Sequence, residues 1–192
     1  MAIKKECNSV LAKVVAIGLI LLCLITPSKA EVSKDYTIAT TYNYADLITA
    51  RAEQEIGKGE STANNCGKDI KRYMQGIEKQ SWCAGFVSYI LFECGYKKLG
   101  FNYSAKQIWN KGKQAGLVVK NAQRGDLICF WRGNKNSWKG HIGIIYKVEN
   151  NSIITIEGNK GSFPAKVKTV RYYKNNVPKL LGYLRIKEVK KL

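Results

Sequence analysis

The spacing of the apolar residues changes once along this chain, at Gly125, and that change limits the folds open to it. Before Gly125 the apolar residues recur at helical spacing; after it they fall in short alternating runs separated by turn residues. Residues 45–56 place Leu47, Ile48, Ala52 and Ile56 on one helical face, closed by Gly57. Residues 69–74 read as a short helix ended by Gly76, and 82–94 as an apolar helix stopped by Gly95. Residues 104–114 form a further helix with Ser104 as N-cap. The expected strands are 126–131, 141–148, 153–157, 167–173 and 180–186. Helices first and an antiparallel meander second predict an α+β domain, with N-terminal helices packed on an antiparallel sheet of about five strands.

Residues 1–30 read as an export signal and not as part of that domain. Lys4, Lys5 and Lys13 make a basic start, and residues 14–25 are an apolar run of twelve. Ser28-Lys29-Ala30 then offers small residues to a signal peptidase, with cleavage after Ala30. A run of that length falls short of the roughly 20 residues that span a bilayer. Residues 31–44 are expected to be an exposed leader, 45–187 the folded domain and 188–192 a basic tail. Of the 192 residues, 45% are apolar and 10% aromatic, which excludes a disordered or collagen-like chain. The net charge is +18, and most of it lies beyond the signal.

Chemistry is confined by the single histidine, His141. In Gln80-Ser81-Trp82-Cys83-Ala84-Gly85-Phe86, Ser81 as helix cap would put Cys83 in the first turn. Free N–H groups and the positive end of the helix dipole favour a thiolate there. The alternative is a buried core cysteine. Small Ala84 and Gly85 would admit a substrate chain or a facing strand. His141 opens the run Gly140-His141-Ile142-Gly143-Ile144-Ile145-Tyr146, so that His141, Gly143 and Ile145 share one face. The next strand carries Glu157 and Asn159, either able to bond the second imidazole nitrogen. A three-residue loop, 149–151, or a bulge of equal effect, would pair Asn159 with His141 and Glu157 with Gly143 on that face.

QSWCAGFVSYILFECG, RGDLICFWRG, GHIGIIYKVENNSIITIEGN and LLGYLRI together resemble the CHAP domain, the cysteine- and histidine-dependent amidohydrolase/peptidase family. That family is papain-like and related to the NlpC-type cell-wall peptidases. The resemblance covers about residues 45–187 and implies a papain-like CHAP fold. It implies Cys83 as nucleophile, His141 as general base and then acid, and Asn159 as the residue orienting the imidazole. Glu157 would be the fourth polar member, and the backbone N–H of Cys83 part of an oxyanion hole. Tyr73, ten residues upstream of Cys83, is a further donor on the pattern of NlpC-type relatives. No cofactor is implied. The stretch Asn64-Asn65-Cys66-Gly67-Lys68-Asp69 has one carboxylate, too few for the calcium loop of some CHAP enzymes. With one His and no C-x₂-C pair, zinc is not expected either.

Relatives of this kind mostly cut peptidoglycan, as N-acetylmuramoyl-L-alanine amidases or endopeptidases. The expected partner is therefore peptidoglycan or another anionic envelope polymer, met by a monomer in the periplasm, the cell envelope or the medium. The basic residues alternate with apolar ones and form no nucleic-acid-binding module, and no stable membrane insertion is expected after signal cleavage. Trp138 and Trp131, flanking the loop before His141, are candidate walls of the substrate cleft, with core packing the alternative for Trp131. Cys129 reads as buried in its strand; Cys66 sits in a loop, where a bridge to Cys94 or Cys129 is the less favoured reading. A catalytically inactive cationic wall-binding module and a thiol amidase acting on a non-wall substrate are the rival readings.

Overall fold

A computed structural model describes residues 43–187. The expected export signal, most of the expected leader and the basic tail lie outside the described residues. Four helices precede the sheet: α1 (Tyr44–Glu53), α2 (Lys68–Tyr73), α3 (Cys83–Glu93) and α4 (Ala105–Gln114). Six strands follow: β1 (Val118–Val119), β2 (Leu127–Trp131), β3 (Gly140–Val148), β4 (Ser152–Lys160), β5 (Lys166–Tyr173) and β6 (Leu180–Leu184). The expected α+β architecture is present, with one short strand more than anticipated. The sheet order is β1-β6-β2-β3-β4-β5, with every pairing antiparallel. The run β2 to β5 is a meander, as expected, but β6 returns to lie against β2 on its other side.

Helix α3 is apolar on nearly every side, which suits an element enclosed by others. Cys83 to Ser88, Ile90 and Leu91 are all buried in it. It packs on β3 and β4, while α1 and α2 lie against it. Gly85 has a specific purpose here. A Cβ at Gly85 would lie 2.2 Å from Met74 Sδ and 2.8 Å from the Tyr73 carbonyl, so the missing side chain lets α2 close onto α3. It serves helix packing and not substrate approach. Between helices and sheet lies the main core, including Phe86, Ile90, Leu127, Cys129, Ile142, Ile144 and Ile156. A smaller cluster of Ile128, Phe130, Ile145, Ile153 and Tyr172 includes the alternate residues of β2 and β3, and so covers the opposite face.

The Gly125-Asp126 pair before β2 has a structural basis. Gly125 has φ +83°, and a Cβ there would meet Ala45 of α1 at 2.5 Å or closer. Asp126 is buried, accepts from the Gln123 N–H at 2.8 Å, and holds Arg185 through Nε at 3.1 Å and Nη2 at 3.0 Å. The pair therefore ties the start of the sheet to α1 and to the residue following β6. Cys66, Cys83, Cys94 and Cys129 are all free, and Cys129 is fully buried in β2. No helix among the described residues is long and apolar enough to cross a membrane.

Candidate active site

Cys83 is the first residue of α3. The N-cap is Trp82 instead of Ser81, and no side chain caps the helix. The first N–H groups of α3 therefore have no capping acceptor, and the positive end of the helix dipole lies at the Cys83 sulfur. Trp82 is fixed from behind by Glu60, a buried carboxylate. The indole N–H donates to Glu60 Oε1 at 3.1 Å, and the Ala165 N–H donates to Oε2 at 2.8 Å. The residue preceding the thiol is thereby held to the start of β5.

His141 stands near the beginning of β3, opposite Phe130 of β2. Its Nε2 is 2.7 Å from Glu157 Oε2, and its Nδ1 is 3.1 Å from Arg132 Nη2. A guanidinium can only donate, so Nδ1 accepts in this arrangement and the ring proton sits on Nε2, facing the carboxylate. With Nε2 held by Glu157, Nδ1 is the nitrogen left to serve Cys83, which hydrogen bonds to the imidazole. Burial disfavours the thiolate, but hydrogen bonding and charge from His141, aided by Arg132, hold the Cys83 thiol below its ordinary pKa. Burial likewise disfavours the imidazolium, yet hydrogen bonds to Cys83 and Glu157 raise the His141 pKa. Both directions favour passing the thiol proton to the ring, whose Nδ1 as imidazolium no longer accepts from Arg132.

Glu157 is fully buried and has a partner for each oxygen. Oε1 accepts from Thr155 Oγ1 at 2.7 Å and from Tyr172 Oη at 2.8 Å, while Lys160 Nζ lies 3.4 Å from Oε2 on the side of His141. Burial alone would raise its pKa, but the bond to His141 and the surrounding donors bring it down to about 2. Gly143 makes this approach possible. A Cβ there would lie 2.6 Å from Glu157 Cγ, so the glycine beside His141 leaves room for the carboxylate.

The register that sets these faces arises by the bulge and not by the longer loop. Glu149 N–H donates to the Ser152 carbonyl at 2.9 Å, which closes a two-residue turn, Asn150-Asn151. One extra residue at Tyr146 then restores the pairing of Ile144 with Ile156. Beyond Glu157 the register with β5 shifts again, and Asn159 takes φ 55°. Glu157 therefore occupies Nε2 of His141, and Asn159 is not among its hydrogen-bond partners among the described residues.

Two hollows adjoin the pair and share Arg132. One, of about 320 Å³, is lined by Cys83, Ser81, Tyr103, Trp138 and neighbours; the other, of about 560 Å³, by His141, Trp131, Tyr172, Lys160 and Lys179 among others. Trp138 is 78% exposed and Cys83 only 4%, so the thiol is reached through the first hollow beside that indole. Trp131 lines the second hollow. Tyr73 lines neither: it is fully buried, stacks on Trp82, and donates its hydroxyl to Glu55 Oε2 at 2.5 Å. Sequence reasoning did not find Arg132, Thr155 or Tyr172. Thr155 was within reach of an alternation argument, because it shares the face of Glu157 two residues away. Arg132 follows Trp131, the partner of Gly140, and so is the first residue beyond the β2–β3 ladder next to His141.

The family model of the CHAP domain matches residues 74–159, which span Cys83, His141 and Glu157. No curated protein matches this sequence. Among solved structures, the peptidoglycan hydrolase RipB from Mycobacterium tuberculosis is 19% identical, with a TM-score of 0.47 over 76% of this chain and 66% of that one. A protein of the NLP/P60 family from Staphylococcus aureus, described as similar to lipoprotein, is 17% identical, with a TM-score of 0.43 over 76% of this chain and 42% of that one. This chain thus spans less than two thirds of either.

Proposed function

We propose that the chain, of which residues 74–159 match the family model of the CHAP domain, is an exported cysteine hydrolase cleaving amide bonds of bacterial peptidoglycan. The observation that carries this reading is the ordered contact Cys83–His141–Glu157 at the uncapped start of α3. In the proposed reaction the Cys83 thiol passes its proton to His141 Nδ1, and the sulfur attacks the amide carbonyl. The oxyanion is met by the backbone N–H of Cys83 at the helix start. Imidazolium then protonates the departing amine, breaking the C–N bond and leaving a thioester on Cys83. Water, deprotonated by the same imidazole, hydrolyses the thioester and restores the thiol. Glu157 takes the orienting role that the resemblance assigns to Asn159, by holding Nε2–H and balancing the imidazolium. Trp138 and Trp131 are the proposed walls of the two halves of the cleft, and Tyr73 acts through packing under Trp82.

Digestion of purified peptidoglycan, with mass spectrometry of the products, tests this reading. A new free amine on the stem-peptide alanine identifies an N-acetylmuramoyl-L-alanine amidase, and one within or between stem peptides an endopeptidase. No new amine from the wild-type protein rejects the proposal.

The direction of the pKa shifts sets an expected pH profile. The active pair exists above the lowered Cys83 pKa and below the raised His141 pKa. The profile of kcat/KM should therefore be a bell whose acid limb lies below the ordinary thiol value of 9.0 and whose alkaline limb lies above the ordinary imidazole value of 6.5. Iodoacetamide near neutral pH should alkylate Cys83 ahead of Cys94 and Cys129, whose thiols burial pushes up. An acid limb at or above the ordinary thiol value would contradict the ion pair.

A further inference from the structure

The hollow on the His141 side holds more positive charge than the proposed chemistry uses. Arg132, Lys160 and Lys179 line it, and none of its lining residues is acidic. Glu157 lies beneath, out of contact with solvent, and of the three cations it pairs with Lys160. Arg132 donates to an imidazole nitrogen, and Lys179 Nζ lies over the Trp131 ring at 5.5 Å from its centroid. Neither of these two is satisfied by a carboxylate among the described residues. Phe130, Trp131, Tyr172 and Pro178 supply apolar walls around the charges. Like charges gathered around an open apolar hollow repel one another, and an anion placed among them relieves that repulsion.

The position of the hollow indicates which half of a substrate it faces. Cys83, which takes the acyl group, lines the other hollow; His141, which protonates the departing amine, lines this one. We infer that the Arg132–Lys179 hollow binds a carboxylate on the amine half of the substrate, so that the preferred leaving group is an acidic peptide. This deepens the proposed peptidoglycan cleavage and rests on it. The planar fork of Arg132 suits a bidentate carboxylate, and Lys179 at the rim adds a second charge.

The test separates binding from cleavage. Cys83→Ala protein is titrated calorimetrically with the tetrapeptide L-Ala-γ-D-Glu-L-Lys-D-Ala, and with the same peptide whose carboxylates are converted to carboxamides. The carboxylate form should bind about tenfold more tightly. Adding Arg132→Gln or Lys179→Gln, both at exposed positions, should each remove much of that difference. Equal affinity for the two peptides, absence of binding by either, or a difference that survives both substitutions overturns the inference. A wild-type protein that fails to cut peptidoglycan while the affinity difference persists rejects the hydrolase reading alone. Cleavage without the difference rejects the acidic subsite alone.

Discussion

Replacing Cys83 with alanine should lower the rate of peptidoglycan cleavage by at least about 10⁴-fold while leaving the protein folded. Among the described residues, the Cys83 sulfur is the nucleophile that hydrogen bonds to His141. The loss of one buried sulfur at a position already flanked by Ala84 should cost about 1 kcal/mol in stability. His141 keeps its bonds to Glu157 and Arg132 in the variant, so the site should stay ordered. Product analysis beside a thermal melt distinguishes lost chemistry from lost folding. Cleavage by the variant within tenfold of wild type would show that Cys83 is a buried core cysteine and not the nucleophile.

The second large effect is expected at Glu157. Alanine there would leave the Nε2–H of His141 and the hydroxyls of Thr155 and Tyr172 without their buried acceptor. Removing one partner of a buried charged pair typically costs about 3–5 kcal/mol, so Glu157→Ala is expected to unfold readily. Glu157→Gln keeps the shape and removes the charge, and is the more informative variant. It should lower kcat by about 10²–10⁴-fold, because the imidazolium loses its balancing carboxylate. The alkaline limb of its pH profile should move to lower pH, since the His141 pKa falls when that support is lost. Asn159→Ala should leave the limb where it is. If the two variants exchanged these behaviours, Asn159 and not Glu157 would be the orienting residue.

Glu157 also links the site to acid stability. Its folded pKa, about 2, lies below the ordinary 4.5, so it contributes stability above 4.5 that is lost as the pH falls through about 2. Denaturant melts across that window should decline less steeply for Glu157→Gln than for wild type.

Much of this arrangement is legible in the sequence. The apolar spacing located all four helices, because each buries one face or, for α3, nearly every side. The strands were found from their alternation, and β3 assigned His141 and Gly143 to one face. Local pattern could not reveal partners brought in from far along the chain. β6 pairs with β2 more than fifty residues earlier, as Leu127 with Leu184 shows. The bulge at Tyr146 lies where its hydroxyl reaches Glu53 of α1, at 2.7 Å, and where Arg124 stacks on its ring. Those contacts belong to the assembled domain. The choice between Glu157 and Asn159 depended on how far β4 keeps its register, and the departure after Glu157 has no signature in Glu-Gly-Asn itself. Tyr73 was misplaced for a related reason: the pattern of NlpC-type relatives suggested a donor in the cleft, whereas the close α2–α3 contact at Gly85 directs it inward to Glu55.

The Glu60 carboxylate, which holds the Trp82 indole with one oxygen and the Ala165 amide with the other, couples two segments more than eighty residues apart. Neither donor can be released without disturbing the acceptor of the other, so the two N–H groups belong to one cooperative opening unit. Their hydrogen-exchange rates are then tied together, and a disturbance at the start of β5 is felt at the residue before the thiol. Selection for turnover in a protein built this way would act on residues near 165 as well as on the cleft, although they touch no substrate.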